Sequence, residues 1–317
     1  MKSEVNSLLN SIEGAGLSDR RNLSRAISRV ENNDSAFRLE LANRFSRTGD
    51  SVVYGITGSP GAGKSTLVDL LARKFADTGK TVAVLAIDPS SPFSGGALLG
   101  DRIRMSQASA HPNIYIRSMA SRGALGGLAH STREVIFLLE LVGFDIIILE
   151  TVGVGQAEVE IVKTADTVGL VLVPGMGDGV QALKAGIIEI ADLFIINKAD
   201  YPDVDKLHKE LRRVISLAAE GSFEPNIVRT IASKAEGIDD VVSGLQAHRK
   251  KMAESGELAT RKQEFLLQTF RMELYALVSE RFLNDKASKK LREDLEKSIC
   301  KRELSPLLAA MKLIESI

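Results

Sequence analysis

The chain has 317 residues, 44% of them hydrophobic, with 41 Lys+Arg against 41 Asp+Glu, so it can bury a sizeable core in one large domain or two small ones. Balanced charge gives no global field toward nucleic acid or an anionic membrane, and the single Cys300 excludes an internal disulfide and fits a reducing compartment. The first residues carry no apolar signal core and no uninterrupted apolar run reaches spanning length, so a cytoplasmic protein with no nucleic-acid and no membrane partner is expected.

Residues 4–48 read as helices. Val5, Leu8, Leu9 and Ile12 form one apolar stripe, and Leu23, Ala26, Ile27 and Val30 form another, with Gly14 and Gly16 breaking between them. Thr48-Gly49-Asp50 ends this region. Strands then alternate with helices. The predicted strands are 51–57, 81–87, 144–149, 168–173, 192–197 and 227–231. Near-continuous apolar runs imply strands covered on both faces, hence a mostly parallel sheet with helices on either side.

The first strand runs into Gly58-Ser59-Pro60-Gly61-Ala62-Gly63-Lys64-Ser65, which matches G-x-x-x-x-G-K-[ST] at every fixed position. The segment from Thr66 to Phe75 repeats apolar residues at helical spacing. Strand, glycine-rich loop and helix are what an anion cradle needs, because loop N–H groups and the helix N-terminus together face the phosphates. Gly58 through Thr66 therefore read as a nucleotide-binding P-loop. Lys64 would reach the β- and γ-phosphates, and the Ser65 hydroxyl would ligate Mg²⁺.

Asp88 closes the second strand at the carboxyl edge, where ligands bind in open α/β sheets. The glycine-rich loop after it holds a second carboxylate, Asp101. Both are candidates for holding Mg²⁺ directly or through water; the alternative is that Asp88 opens the Pro89 turn and Asp101 caps a helix. Phe144-Asp-Ile-Ile-Ile-Leu-Glu150-Thr151-Val-Gly153-Val-Gly155-Gln156 is the third nucleotide-facing element. Glu150 sits where a Walker-B acid approaches the metal or its water, and the Gly153 N–H could meet the γ-phosphate. Asp145, at the other end of this strand, reads as structural. Segment 174–184, with three glycines in its first six residues, is either a β–α turn or a switch.

Asn197-Lys198-Ala199-Asp200 follows a short apolar run. In N-K-x-D the Asp carboxylate accepts from guanine N1–H and the exocyclic amine, whereas adenine would face it with a lone pair, so guanine is selected. After the sixth strand, Thr230-Ile231-Ala232-Ser233-Lys234 stands where a Ser-Ala loop often meets the guanine carbonyl. Either the Ala232 region supplies the backbone N–H, or the Ser233-Lys234 pair is displaced by one. From about 246 strands stop. Phe265, Leu266, Phe270, Leu274, Leu277, Val278 and Phe282 mark a long helix, and Ser305-Pro306 reads as the opening of a last short one. His248, beside Arg249, reads as a helix-surface residue, and His111, His130, His208 and His248 are too scattered, with one Cys, for a metal-delivery protein. The boundaries drawn are a helical N-terminal extension at 1–50, an α/β nucleotide domain at 51–245 and a helical arm at 246–317.

Four segments together resemble the methylmalonyl-CoA mutase-associated GTPases: Asp88-Pro-Ser-Ser-Pro, Gly95-Gly-Ala-Leu-Leu-Gly-Asp101-Arg-Ile-Arg-Met105, Glu150-Thr-Val-Gly-Val-Gly-Gln156 and Gly177-Asp-Gly-Val-Gln-Ala-Leu-Lys-Ala185. The resemblance covers essentially the whole chain. It implies a P-loop GTPase fold and a G-protein chaperone of an adenosylcobalamin-dependent acyl-CoA mutase, gating cofactor loading and protecting or rescuing the mutase. It implies Mg-GTP roles for Lys64, Ser65, Asp88, Asp101 and Glu150, a switch at 174–184 with Lys184 as its mobile contact, and a homodimer joined through the C-terminal arm. Adenosylcobalamin would enter only through the partner. Such proteins also carry an older description as arginine/ornithine transport kinases. A P-loop kinase is therefore the competing reading, against which N-K-x-D selects guanine and no acceptor pocket is evident.

Overall fold

The computed structural model describes residues 2–88, 105–120, 130–151, 161, 163–175, 191–218, 225–284 and 289–315. The chain divides into two compact units, Met1–Gln263 and Glu264–Ile317.

The first unit is built on seven parallel strands: β1 (Val52–Gly58), β2 (Val82–Asp88), β3 (Ile114–Ala120), β4 (Ile146–Thr151), β5 (Thr167–Leu172), β6 (Leu193–Ile196) and β7 (Asn226–Arg229). Their order is β3-β2-β4-β1-β5-β6-β7. β1 lies between β4 and β5 in the middle; after it the chain runs out to β2 and β3 on one side, returns to set β4 beside β1, and then adds β5, β6 and β7 on the other. The crevice at the carboxyl end of β1 is thus the place where such sheets bind ligands. The sequence predicts six of these strands; β3 is the addition. It is an edge strand paired only with β2, and Arg117 and Ser118 interrupt its apolar run.

The helices are α1 (Lys2–Ile12), α2 (Arg20–Glu31), α3 (Ser35–Ala42), α4 (Lys64–Asp77), α5 (Ser106–Ala110), α6 (His130–Val142), α7 (Val204–Ala218), α8 (Ile238–Ser255), α9 (Glu257–Asn284), α10 (Lys289–Cys300) and α11 (Pro306–Glu315). Strand side chains alternate between faces, so each strand feeds two cores. Tyr54, Ile56, Ile146 and Ile148 pack with Leu67 and Leu71 of α4 and with Val241 and Leu245 of α8. Val53, Ile147 and Leu149 pack on the other face with α6 and the N-terminal helices. α7 covers Leu170, Leu172, Phe194 and Ile196 through Leu207, Leu211 and Ile215. The two stripes predicted in 4–48 are all buried. Asp19 caps α2 through Asn22 N and Asp34 caps α3 through Phe37 N. The turn glycines Gly14 and Gly16 donate to Leu141 O and Val142 O at the end of α6.

The amino ends of the strands carry a charged network. Asp166, just before β5, accepts from Val53 N and Arg249 Nε, each at 3.2 Å. Asp192, just before β6, accepts from Val168 N at 2.8 Å and from Arg261 Nη1 and Nη2 at 2.8 and 3.1 Å. His248 corrects the surface reading. It is buried, with Nδ1 3.0 Å from Thr167 Oγ1 and Nε2 3.4 Å from Asp192 Oδ1. Burial holds its pKa below the usual value, with Asp192 pulling the other way. Burial also pushes the Glu140 carboxyl up to about 7, against Lys262 and a backbone hydrogen bond from Gly49. Asp145 is structural, as predicted. Burial would raise its pKa, but hydrogen bonds from Lys80 Nζ, Thr81 N and Thr81 Oγ1 outweigh it and hold it below the usual range.

In the second unit α10 and α11 pack on each other with Ala309 buried. Ser305 Oγ accepts from Leu308 N at 3.2 Å, the predicted N-cap of α11. Leu267, Phe270, Tyr275 and Leu277 of α9 and Leu307 and Ile314 of α11 are exposed. Cys300, at the end of α10, is a free and exposed thiol. No helix among the described residues is long and apolar enough to cross a membrane.

Candidate nucleotide site

The phosphate loop is shaped by three glycines at positive φ, a conformation that favours glycine. Gly58 has φ +141°, and a Cβ there would lie 2.2 Å from Val171 O of the neighbouring strand. Gly63 has φ +87°, and a Cβ there would lie 2.4 Å from Asn197 Nδ2. Gly61 has φ +76°. The loop closes through Ala62 N donating to Ser59 O at 3.2 Å, and α4 starts at Lys64. Lys64 is buried, and its ammonium donates to Gly58 O and Ser59 O at 2.7 and 2.9 Å. The loop is therefore wrapped around the cation that would meet the phosphates. Pro60 and Thr66 are exposed at its rim.

Ser65 Oγ donates to Glu150 Oε1 at 2.7 Å. Glu150, one residue before the end of the buried strand β4, lies on the face turned to α4, so the two hard oxygen donors meet beside the phosphate loop. That donor set fits Mg²⁺, which takes one or two protein oxygens and leaves its other positions to water and phosphates. Among the described residues no group of three or more His, Cys, Asp or Glu gathers that could hold a metal ion. Asp88 ends β2 at the same carboxyl edge; its side chain lies outside the described residues. Asp101, Gly153, Gln156 and Lys184 also lie outside them.

The N-K-x-D segment leaves β6 and is bonded into the phosphate loop. Asn197 Nδ2 donates to Ala62 O at 2.8 Å, and Asn197 Oδ1 accepts from Thr230 Oγ1 and Ala232 N, both at 3.1 Å. Lys198 Nζ donates to Gly61 O at 3.0 Å and lies 5.6 Å from the Tyr201 ring centroid. Ala199 N donates to Thr230 O at 3.0 Å. Three loops distant in sequence thus become one surface. The Asp200 carboxylate is exposed at its edge, 3.6 Å from Lys234 Nζ. The Ala232 N–H, a candidate donor to guanine, is held by Asn197 Oδ1, so a guanine carbonyl would compete for it. Ser233 and Lys234 are exposed beside it.

Sequence reasoning gave Asn197 and Lys198 to the nucleotide; the structure gives each a second task, holding the loop that faces the phosphates. It also missed Thr57 and Thr151, whose hydroxyls meet at 2.8 Å at the ends of β1 and β4. The available signal was a threonine near the end of each of two adjacent buried strands.

A family profile described as methylmalonyl Co-A mutase-associated GTPase MeaB matches residues 23–290. A Pyrococcus horikoshii relative named as a GTPase is 42% identical over 310 residues, covering 96% of this chain and 97% of that one. A Mycobacterium bovis relative, also named as a GTPase, is 36% identical over 324 residues, 98% and 94% of the two chains. The mouse protein named methylmalonic aciduria type A homolog, mitochondrial, is 36% identical over 271 residues, 83% of this chain and 64% of that one. A solved structure titled LAO/AO transport system kinase superposes with TM-score 0.70 at 24% identity, covering 99% and 97%, which speaks to the fold alone. The kinase reading is not favoured beside a GTPase family profile and relatives named as GTPases. On the phosphate loop, the N-K-x-D surface and these likenesses together, the chain is a P-loop GTPase and belongs to the methylmalonyl-CoA mutase-associated GTPase family.

Proposed function

We propose that this GTPase acts as a chaperone of an adenosylcobalamin-dependent acyl-CoA mutase, gating cofactor loading and protecting or reactivating the mutase. The observation that carries this reading is the family match over residues 23–290, joined to a relative named for methylmalonic aciduria. Adenosylcobalamin belongs to the partner; this chain's ligands are GTP and GDP with Mg²⁺.

In this reading Gly58 to Thr66 cradle the phosphates, and Lys64 exchanges its two loop carbonyls for phosphate oxygens. Ser65 and Glu150 hold the metal, with Asp88 and Asp101 at the same edge. Mg²⁺, when bound, neutralises charge that builds on the phosphate oxygens. Glu150 positions water through its carboxylate. Asp200 selects guanine, and the Ala232–Lys234 loop lines the base. Gly153 senses the γ-phosphate, and 174–184 is the switch that reports nucleotide state, with Lys184 as its contact.

The exposed apolar residues of the second unit support a homodimer formed through the arm, since so many exposed large apolar side chains in one short segment accord with an interaction surface. A cytoplasmic location accords with the single cysteine, which fits a reducing compartment.

The test is GTP turnover with and without the mutase of the same cell. Wild type is accelerated by the mutase. Lys184→Ala keeps its intrinsic rate and loses the acceleration. Equal acceleration of both proteins removes the switch role, and absence of any mutase effect on wild-type turnover or nucleotide affinity removes the chaperone reading.

A further inference from the structure

We propose that Thr57 and Thr151 form a positioning pair for GTP hydrolysis. It pins the end of the Glu150 strand to the root of the phosphate loop, on the face opposite the Ser65–Glu150 contact that would meet the metal. The inference rests on the assignment of Glu150 to the metal and water site.

The backbone register of β1 and β4 pairs Val52 with Ile146 and runs on to Ile56 with Glu150. The next residues in register are Thr57 and Thr151, joined by their hydroxyls at 2.8 Å and fully buried. Strand alternation sends Glu150 toward α4, on the face of Ile56 and Ile148, and Thr57 and Thr151 to the other, on the face of Val53 and Leu149. Glu150 is therefore held from two sides. In front, it accepts from Ser65 Oγ at 2.7 Å. Behind, the hydroxyl pair ties the next residue to the strand that becomes Gly58.

These two ties respond differently to ligand. The front tie lies among the oxygens that would meet Mg²⁺: Ser65 Oγ would ligate the ion through a lone pair, and Glu150 would reach the ion or its water. The rear tie faces the apolar core and has no ligand to exchange with. It adds a side-chain tie to the β1–β4 backbone register that sets Glu150 beside the phosphate loop.

Stability does not explain the pair. Burying two hydroxyls to bond only each other gains little over two apolar groups of the same shape, and valine is that shape. The same face of these strands uses Val53, Ile147 and Leu149. What a hydroxyl pair adds is direction: apolar contacts tolerate sliding, and a hydrogen bond fixes one geometry. A group that orients water needs that fixity, since a misplacement of about 1 Å costs on the order of a hundredfold in rate.

The experiment compares Thr57→Val, Thr151→Val, the double valine variant and Thr151→Ser, using mant-GTP affinity, single-turnover hydrolysis at saturating Mg²⁺ and thermal melting. Each single valine leaves one buried hydroxyl without its partner and lowers the melting temperature. The double variant regains stability. The inference requires the double variant to bind mant-GTP within about twofold of wild type and to hydrolyse at least about tenfold more slowly, with Thr151→Ser near wild type. A double variant that melts and hydrolyses like wild type overturns it, as does one whose affinity and rate fall together. Glu150→Ala separates the two layers. Normal turnover in that variant defeats the site assignment itself. Slow Glu150→Ala beside a normal double valine variant defeats only the positioning pair.

Discussion

At the carboxyl ends of β1, β4 and β6, Lys64, Ser65, Glu150 and Asn197 bond to backbone carbonyls and to one another in ways a nucleotide and its metal can replace. At the amino ends of β5 and β6, Asp166 and Asp192 are closed by strand N–H groups and by Arg249 and Arg261, with the buried His248 between Thr167 and Asp192. The same sheet thus keeps exchangeable polar contacts at one end and saturated ones at the other. Function occupies the first and folding stability leans on the second. A protein that must bind and release ligand gains from this separation, because contacts that open in turnover are not those on which the fold depends.

Four substitutions break or sharpen that contrast. Lys64→Ala is the largest: hydrolysis falls by about 10²–10³-fold, as when one preorganised donor to a reacting group is removed, and the melting temperature holds or rises. A parallel loss of stability would erase the distinction between the two ends. Asp200→Asn comes next. GTP affinity falls by about a hundredfold and the site turns to xanthine nucleotides, whose C2 oxygen replaces the amine. Competition of GTP against XTP and ATP reads this directly, and ATP competing equally in wild type would defeat the guanine assignment.

The amino end gives the opposite pattern. Asp192→Ala strands Arg261 and the Val168 N–H, at a cost of about 3 kcal/mol, while turnover per folded molecule stays at wild type. Denaturant unfolding and a rate at matched folded concentration check both halves. Glu140→Gln is the smallest effect. The folded Glu140 pKa, about 7, lies above its ordinary value of 4.5. Its contribution to stability is therefore fully present below pH 4.5 and lost as pH rises through about 7. The glutamine variant melts higher than wild type at pH 8 and equally at pH 4. A wild-type advantage at pH 8 would mean that Lys262 outweighs burial.

How much of this was legible in the sequence depended on how local each signal is. The phosphate loop and N-K-x-D have fixed spacing, so Lys64, Ser65, Asn197 and Asp200 stood out. The partners of Asn197 did not: Ala62 and Thr230 are far away in the chain, and only the β1-β5-β6-β7 order brings them together. β3 was missed because an edge strand needs only one strand neighbour and tolerates Arg117 and Ser118. Arg117 turns back to Ser24, Ser28 and Glu31 of α2. His248 was misread through its neighbour Arg249. Its place in the stripe Val241, Leu245, His248, Met252, all buried, gives the helical period that sets it inside. Thr57 and Thr151 look like ordinary strand ends until register aligns them.

The solitary thiol has a practical reach. Cys300 is the chain's one cysteine and is exposed on α10, so a maleimide fluorophore labels the natural protein at a single address, inside the arm. Two such dyes in a dimer form a homo-transfer pair. Loss of fluorescence anisotropy with rising concentration would then report self-association in real time, and its change on adding GTP, GDP or a mutase would show whether the arm hears what the phosphate loop holds.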